Sequence, residues 1–411
     1  MEMKKILLLL FILNISVIGF AQNDTVAKKF RFDFHGFVNP HYYADSRSVV
    51  GGREDMMLFY PKPVALDSLG HDLNDGWQAN MLAITARMGL RVTGPDALGA
   101  KTSAYVEGDF TGSTNATINS LRLRHAYIDM KWLKHKCIGR TDCIASTHRL
   151  LMGQYWYPMQ IHEVMPFTNP LNMGAPFALY ARYNQVRYEY SNRHGIEAVA
   201  AASWQLDNTS QGELNGTYTN STAFARHSLI PELTAQLRYK GQHLFFGGAV
   251  NLKTLQLQVP LTTLNDRTHT SLSYTLFGKL SIGNCDIKAQ TLLNNSLYEG
   301  CSLGGYLFLS NGDVEDWHFN TYWIDISRRT GRLRPGIFMG YAENRDFGGH
   351  SDATHIFGRG HDIEYLYRIQ PRLQYRMSDN LFCTAEAEYT YAGYADPVGN
   401  LRLSLTVQYD F

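Results

Sequence analysis

The last eleven residues, Leu401 to Phe411, alternate without exception between apolar and polar side chains. Leu401, Leu403, Leu405, Val407, Tyr409 and Phe411 share one face, and Arg402, Ser404, Thr406, Gln408 and Asp410 share the other. Successive side chains of a β-strand point to opposite faces, so this segment is a strand with one apolar and one polar surface. A soluble edge strand shows such a pattern over about five residues; a run of eleven is a much stronger constraint. It demands a fold in which a long strand meets an apolar medium on one side and a polar one on the other.

The pattern recurs upstream. Ile363, Tyr365, Tyr367, Ile369, Leu373 and Tyr375 alternate with Glu364, Arg368, Gln370, Arg372, Gln374 and Arg376, with Leu366 and Pro371 as exceptions. Leu82, Ile84, Ala86, Met88, Leu90 and Val92 alternate with Thr85, Arg87, Gly89 and Arg91. Such runs predict about sixteen strands, at 30–42, 80–93, 100–112, 119–133, 147–157, 179–191, 195–206, 227–240, 243–257, 269–282, 284–296, 316–328, 334–345, 361–377, 381–392 and 401–411. Short turns, such as Lys240-Gly241, Gly283-Asn284 and Ser378 to Asn380, alternate with long loops, such as 44–78, 158–177 and 297–315. In hydrocarbon every backbone N–H and C=O must be paired, so a sheet that spans a bilayer has to close on itself. The predicted fold is therefore all-β: a transmembrane antiparallel β-barrel with long extracellular loops and short periplasmic turns. A barrel of this size is wide enough for a water-filled lumen, and the polar rows suit solute rather than a dry interior.

The N-terminus fixes the expected compartment. Lys4 and Lys5 precede an apolar run, Ile6 to Ile18, and Gly19-Phe20-Ala21 offers small residues for cleavage. Residues 1–21 read as a cleaved signal peptide and 22–411 as one barrel domain, placed in the outer membrane of a Gram-negative bacterium. The aromatic complement, 25 Tyr and 21 Phe, suits strands and interfacial girdles. A formal net charge of +1 argues against a nucleic-acid partner. Of the five cysteines, Cys137 and Cys143 flank a short polar segment and either close a small periplasmic loop or are free thiols, like Cys285, Cys301 and Cys383. No metal-ligand spacing is evident, and neither a cofactor nor a metal is expected.

Two features suggest how the lumen works. The loop after the fifth predicted strand, 158–177, is apolar for an extracellular loop and reads as a constriction loop, with His162 and Glu163 as pore-facing groups; subunit contact is the other reading. The predicted inner faces carry Arg31, Arg87, Arg91, Arg122, Arg124, Arg187, Arg238, Arg368, Arg372 and Arg376, against Glu107, Asp109, Glu189, Glu364, Glu386 and Glu388. Guanidinium groups in series offer bidentate sites to carboxylate or phosphate solutes. The same arginines could instead pair with the carboxylates and brace the wall. For Arg122 and Arg124 the register is contested, because Ala126, Ile128 and Met130 imply the opposite face.

Leu121-Arg122-Leu123-Arg124-His125-Ala126-Tyr127, followed by Gly153-Gln154-Tyr155-Trp156, resembles segments of the DcaP-like trimeric outer-membrane porins. Gly36-Phe37-Val38 and the closing strand also look like that group. The resemblance implies a homotrimer of sixteen-stranded barrels that passes small anionic solutes. The C-terminal strand, with Tyr409 and Phe411, is similar to the signal read by the barrel assembly machinery. The partners expected are thus outer-membrane lipid, that machinery, two further copies of the chain, and small polar or anionic solutes. The near-neutral charge and the five cysteines depart from the family pattern. Other readings are a nonselective or cation-preferring porin, a structural or adhesive barrel, and a membrane hydrolase. His162-Glu163-Val164-Met165-Pro166 is similar to the zinc-protease helix motif, but Pro166 stands where the second His belongs. No catalytic residue is expected.

Overall fold

The computed structural model describes residues 30–138, 141–168, 173–214, 217–259, 263–264, 268–349 and 352–411. Strand β1 runs over Arg31–Val38 and resumes at His41–Arg47, interrupted at Pro40, which has no N–H to give a ladder. Strand β2 is likewise in two parts, Asp75–Leu82 and Arg87–Thr93. Then follow β3 (Lys101–Asp109), β4 (Arg122–Ile138), β5 (Thr141–Trp156), β6 (Arg182–Asn192), β7 (Ile196–Trp204) and β8 (Glu232–Lys240). The second half comprises β9 (Leu244–Leu255), β10 (His269–Ile282), β11 (Cys285–Asn295), β12 (Phe319–Arg328), β13 (Leu333–Asn344), β14 (Tyr365–Arg376), β15 (Leu381–Gly393) and β16 (Val398–Asp410).

Each strand pairs antiparallel with the next, and β16 closes on β1 through Val38↔Tyr409 and His41↔Thr406 to Asp45↔Arg402. The result is a closed sixteen-stranded antiparallel barrel. The alternation of β16 becomes a difference in exposure: Leu403 and Leu405 are each 45% exposed, whereas Arg402 and Ser404 are 3% and 9% exposed. Apolar side chains face outward and polar ones inward. Register brings Tyr322, Tyr341, Tyr367 and Tyr391 into one row across β12 to β15, on the extracellular side of the outer wall. Rings at one level form the aromatic girdle expected at a membrane–water interface.

All sixteen predicted strands are present, with shifted ends. β1 continues to Arg47 and β2 begins at Asp75, so the first loop is shorter than 44–78. β4 and β5 run on to Ile138 and from Thr141, where a loop was expected after 133. The last rungs to their neighbours are Lys101↔Lys131 and Ser191↔Thr147 to Asn192↔Ser146, so the rest projects beyond the periplasmic rim as a two-stranded ribbon. Outside the bilayer a strand needs no apolar face, and the periodicity there no longer marks it. The Cys137 and Cys143 side chains, and the signal segment 1–21, lie outside the described residues. Cys285, Cys301 and Cys383 are free thiols.

The lumen differs from the water-filled interior expected. A hairpin, Val49–Gly52 with Met57–Pro61, and the described parts of the segment between β5 and β6, 157–168 and 173–181, both fold inward. They bury an apolar cluster inside the barrel that includes Met56, Phe59, Tyr157, Met159, Phe177, Trp323, Phe338 and Leu366. This explains Leu366, which breaks the alternation of β14: it faces inward and meets that cluster. Polar inner-wall residues such as Asp109, Arg124, Arg368 and Thr390 are fully buried.

Candidate functional site

One inner wall, built by β2 to β6, gathers charge. A β-bulge in β4 lies opposite Glu107 and Gly108, whose partners are His125 and Leu123. The extra residue turns both Arg124 and His125 inward, which resolves the contested register: Arg122 and Arg124 lie inside ahead of the bulge, and Tyr127 and Asp129 lie inside after it. Gln154 donates its amide to the carbonyls of Leu123 and Arg124, at 3.0 and 3.1 Å, and so satisfies acceptors the bulge frees from the ladder. Gly153 (φ +129°) lets β5 approach, since a Cβ there would lie 2.2 Å from the Ala126 carbonyl oxygen. The two sequence segments that resemble DcaP-like porins are thus the two sides of one bulge.

Around it, Arg122 is bidentate to Asp109 (Nε–Oδ1 3.1 Å, Nη2–Oδ2 2.9 Å). Arg124 reaches Glu107 Oε1 at 2.6 Å and Asp109 Oδ2 at 2.8 Å. Arg87 Nε is 3.6 Å from Glu107 Oε1. Arg91, nearer the rim, donates to the Tyr127 hydroxyl at 3.3 Å and lies over the Tyr105 ring. Three members were not foreseen: Arg53 at the hairpin tip, and Tyr180 and Arg182 at the start of β6. Arg182 has the parity of the outer face, and its burial over Trp156 depends on the inserted loop. No periodicity could have revealed it.

The opposite wall holds the loops. Arg368, fully buried, bonds Thr390 Oγ1 and Glu388 through Nε, Ala175 O through Nη1 (2.6 Å), and Leu58 O and Phe59 O through Nη2 (3.1 Å each). Arg402 binds Asp45 and donates to the carbonyls of Asp55 and Met56. Gln236, Gln290, Lys288 and Thr321 donate to the carbonyls of Pro158, Met159, Met165 and Phe177. Arg372 pairs with Asp325 at 2.7 Å and lies against the Phe167 ring. For Arg368 and Arg372 the bracing alternative describes the contacts observed. Glu386 is buried on β15, where Gln370 donates to it.

Between the walls lies a cavity of about 80 Å³ lined by Arg149, Tyr155, His162, Glu163, Arg187, Glu189 and Arg238, among others. Arg187 pairs with Glu189 at 2.6 Å, and Arg238 lies 3.7 Å from Glu163. His162 to Val164 is a single 3₁₀ turn, too short to place ligands as the zinc-protease helix does. Among the described residues no group of three or more His, Cys, Asp or Glu is arranged to hold a metal ion. At the seam the Phe411 ring packs beside Phe34 at 5.8 Å, and a Cβ on Gly36 would lie 2.8 Å from it. Tyr409 is half exposed on the outer face.

A closed sixteen-stranded barrel, apolar outside, polar inside and crossed by the segment after its fifth strand, is a transmembrane β-barrel of the porin type. Solved structures agree on the fold. OmpF of Salmonella typhi, in a complex with daunomycin, superposes with a TM-score of 0.54 at 10% identity over 92% of this chain and 97% of that one. OmpT, an outer-membrane protein of Vibrio cholerae, superposes with a TM-score of 0.52 at 12% identity over 95% and 99%. No family model and no curated protein matches the sequence.

Proposed function

We propose that this chain is a passive channel of the Gram-negative outer membrane for small polar solutes, with a preference for anions. The observation that carries it is that the described parts of the segment between β5 and β6, 157–168 and 173–181, lie in a lumen whose free inner wall holds more guanidinium than carboxylate. In this reading residues 158–177 are the constriction loop. Arg87, Arg91, Arg122, Arg124 and Arg187 line the path with Glu107, Asp109, Glu163 and Glu386, while Arg368 and Arg372 support the loop. A few fixed charges at a narrow, partly desolvated point outweigh the net charge of the chain. The DcaP-like segments support a homotrimer, and no catalysis is part of the reading. In a planar bilayer the purified protein is expected to give conductance steps in groups of three, with an anion-selective reversal potential across a KCl gradient. A cation-selective potential would overturn the preference and leave the channel standing. The burial of the mid-lumen side chains favours a second reading, a structural barrel with a plugged lumen, and a complete lack of steps would select it.

The C-terminal strand with Tyr409 and Phe411 serves, on the same proposal, as the assembly signal. Deleting Phe411 removes the ring that seats on Gly36 at the seam, and folded, heat-modifiable protein should disappear from outer-membrane fractions. Wild-type levels of the deletion variant would show that the signal lies elsewhere.

A further inference from the structure

The charges clustered around the β4 bulge do not balance among the described residues. Five guanidiniums, those of Arg53, Arg87, Arg122, Arg124 and Arg182, face two carboxylates, Glu107 and Asp109. Arg124 is fully buried and Arg182 is 5% exposed, yet Arg124 Nη2 and Arg182 Nε have no hydrogen-bond partner among the described residues. Buried, uncompensated positive charge is costly and favours any oxyanion that reaches it. The group found at the centre is the Tyr180 hydroxyl. It accepts from Arg124 Nη1 at 3.3 Å and from Arg182 Nη1 at 3.4 Å, while the Arg182 guanidinium lies over its ring. Tyr180 is the second-last residue of the inserted segment, tied down by its N–H to the Gly300 carbonyl and by Ala181 N–H to Gln160.

We propose that the Tyr180 phenol oxygen is the resident occupant of an oxyanion site formed by Arg124, Arg182, Arg122 and Arg87, and that a solute anion enters this site by displacing it. The proposal rests on the channel reading, for which it names the residue that sets the threshold for anions. The electrostatics agree with the geometry. Burial alone would raise the phenol, but the Arg124 guanidinium, followed by those of Arg182, Arg122 and Arg87, outweighs burial and holds it at about 7. Below that pH the oxygen is neutral and the cluster has its full positive excess. Above it the phenolate cancels one charge and competes with solute. Displacement of a phenolate is then balanced by uptake of one proton from water: the solute anion replaces the phenolate charge and the phenol regains its O–H. The other titratable groups of the cluster are Glu107 and Asp109 on β3, His125 on β4, Arg53 on the hairpin tip, and Cys301 beside the Gly300 carbonyl that holds Tyr180. The two carboxylates are already committed to Arg122 and Arg124, so neither can supply the missing negative charge.

The test is an ultraviolet titration of tyrosinate in detergent-solubilised full-length protein, with and without sulfate, for the wild type and Tyr180→Phe. One tyrosine of the wild type should ionise near neutral pH, this step should be missing from Tyr180→Phe, and sulfate should move it to higher pH. At an occupancy of about 90% the sulfate shift would be about tenfold in proton affinity. The same near-neutral step in Tyr180→Phe, its absence from the wild type, or indifference to sulfate would each overturn the proposal. None of these readouts requires the protein to conduct, so failure of the channel reading is separately visible in the bilayer. Where it does conduct, the wild-type anion current should fall as pH rises through about 7. The current of Tyr180→Phe should be flat over that range.

Discussion

The two walls of the lumen use the same side chain for opposite purposes. On β14 and β16, Arg368 and Arg402 spend their donors on backbone carbonyls of the hairpin and the inserted segment and on carboxylates beside them. On β4 and β6, Arg124 and Arg182 keep a donor without a partner and meet a tyrosine oxygen instead. A guanidinium has five donors in a rigid fork, so its role is set by how many acceptors come within reach. Carbonyls are plentiful where a loop lies along the wall, and there arginine is a clamp. Where carboxylates are too few, it is a receptor for negative charge.

The contrast can be broken most severely at Arg368. Changing it to Ala removes the bonds to Ala175, Leu58 and Phe59 together and leaves Glu388 buried without its guanidinium. Removing one partner of a buried ion pair costs about 3–5 kcal/mol, which should lower the temperature of the heat-modifiable gel shift. Conductance should rise as both inserted elements lose their anchor. Unchanged conductance and unchanged heat resistance would show that Arg368 is not a clamp.

A smaller effect on stability, and a larger one on selectivity, is expected from Arg124→Ala. Arg122 still pairs with Asp109 and Arg87 still lies near Glu107, so both carboxylates keep a partner. The chloride-to-potassium permeability ratio should fall about threefold or more, because the charge lost lies where screening is weak. If Arg368→Ala lowered that ratio more than Arg124→Ala, the division of labour between the two walls would be wrong.

The sequence by itself determined the barrel. Strand number, the face of each strand and the alternation of short turns with long loops all follow from a period of two, which is a property of neighbouring residues, and from the rule that a bilayer leaves no backbone group unpaired. Arg87, Glu107, Asp109, Arg187 and Arg372 could be placed inside on that basis alone. Tertiary structure decided the rest. The β4 bulge set Arg122 and Arg124 on the same side as Tyr127 and Asp129 by inserting one residue, and a strict alternation has no place for an extra residue. Whether an inward arginine would clamp or receive depended on the hairpin and on the 157–181 segment, whose contacts join residues as distant in sequence as Leu58 and Arg368. Arg182 and Tyr180 entered the site only because that segment folds back into the lumen. Such contacts leave no periodic trace, because they are chosen by which carbonyls and rings meet once the barrel has closed.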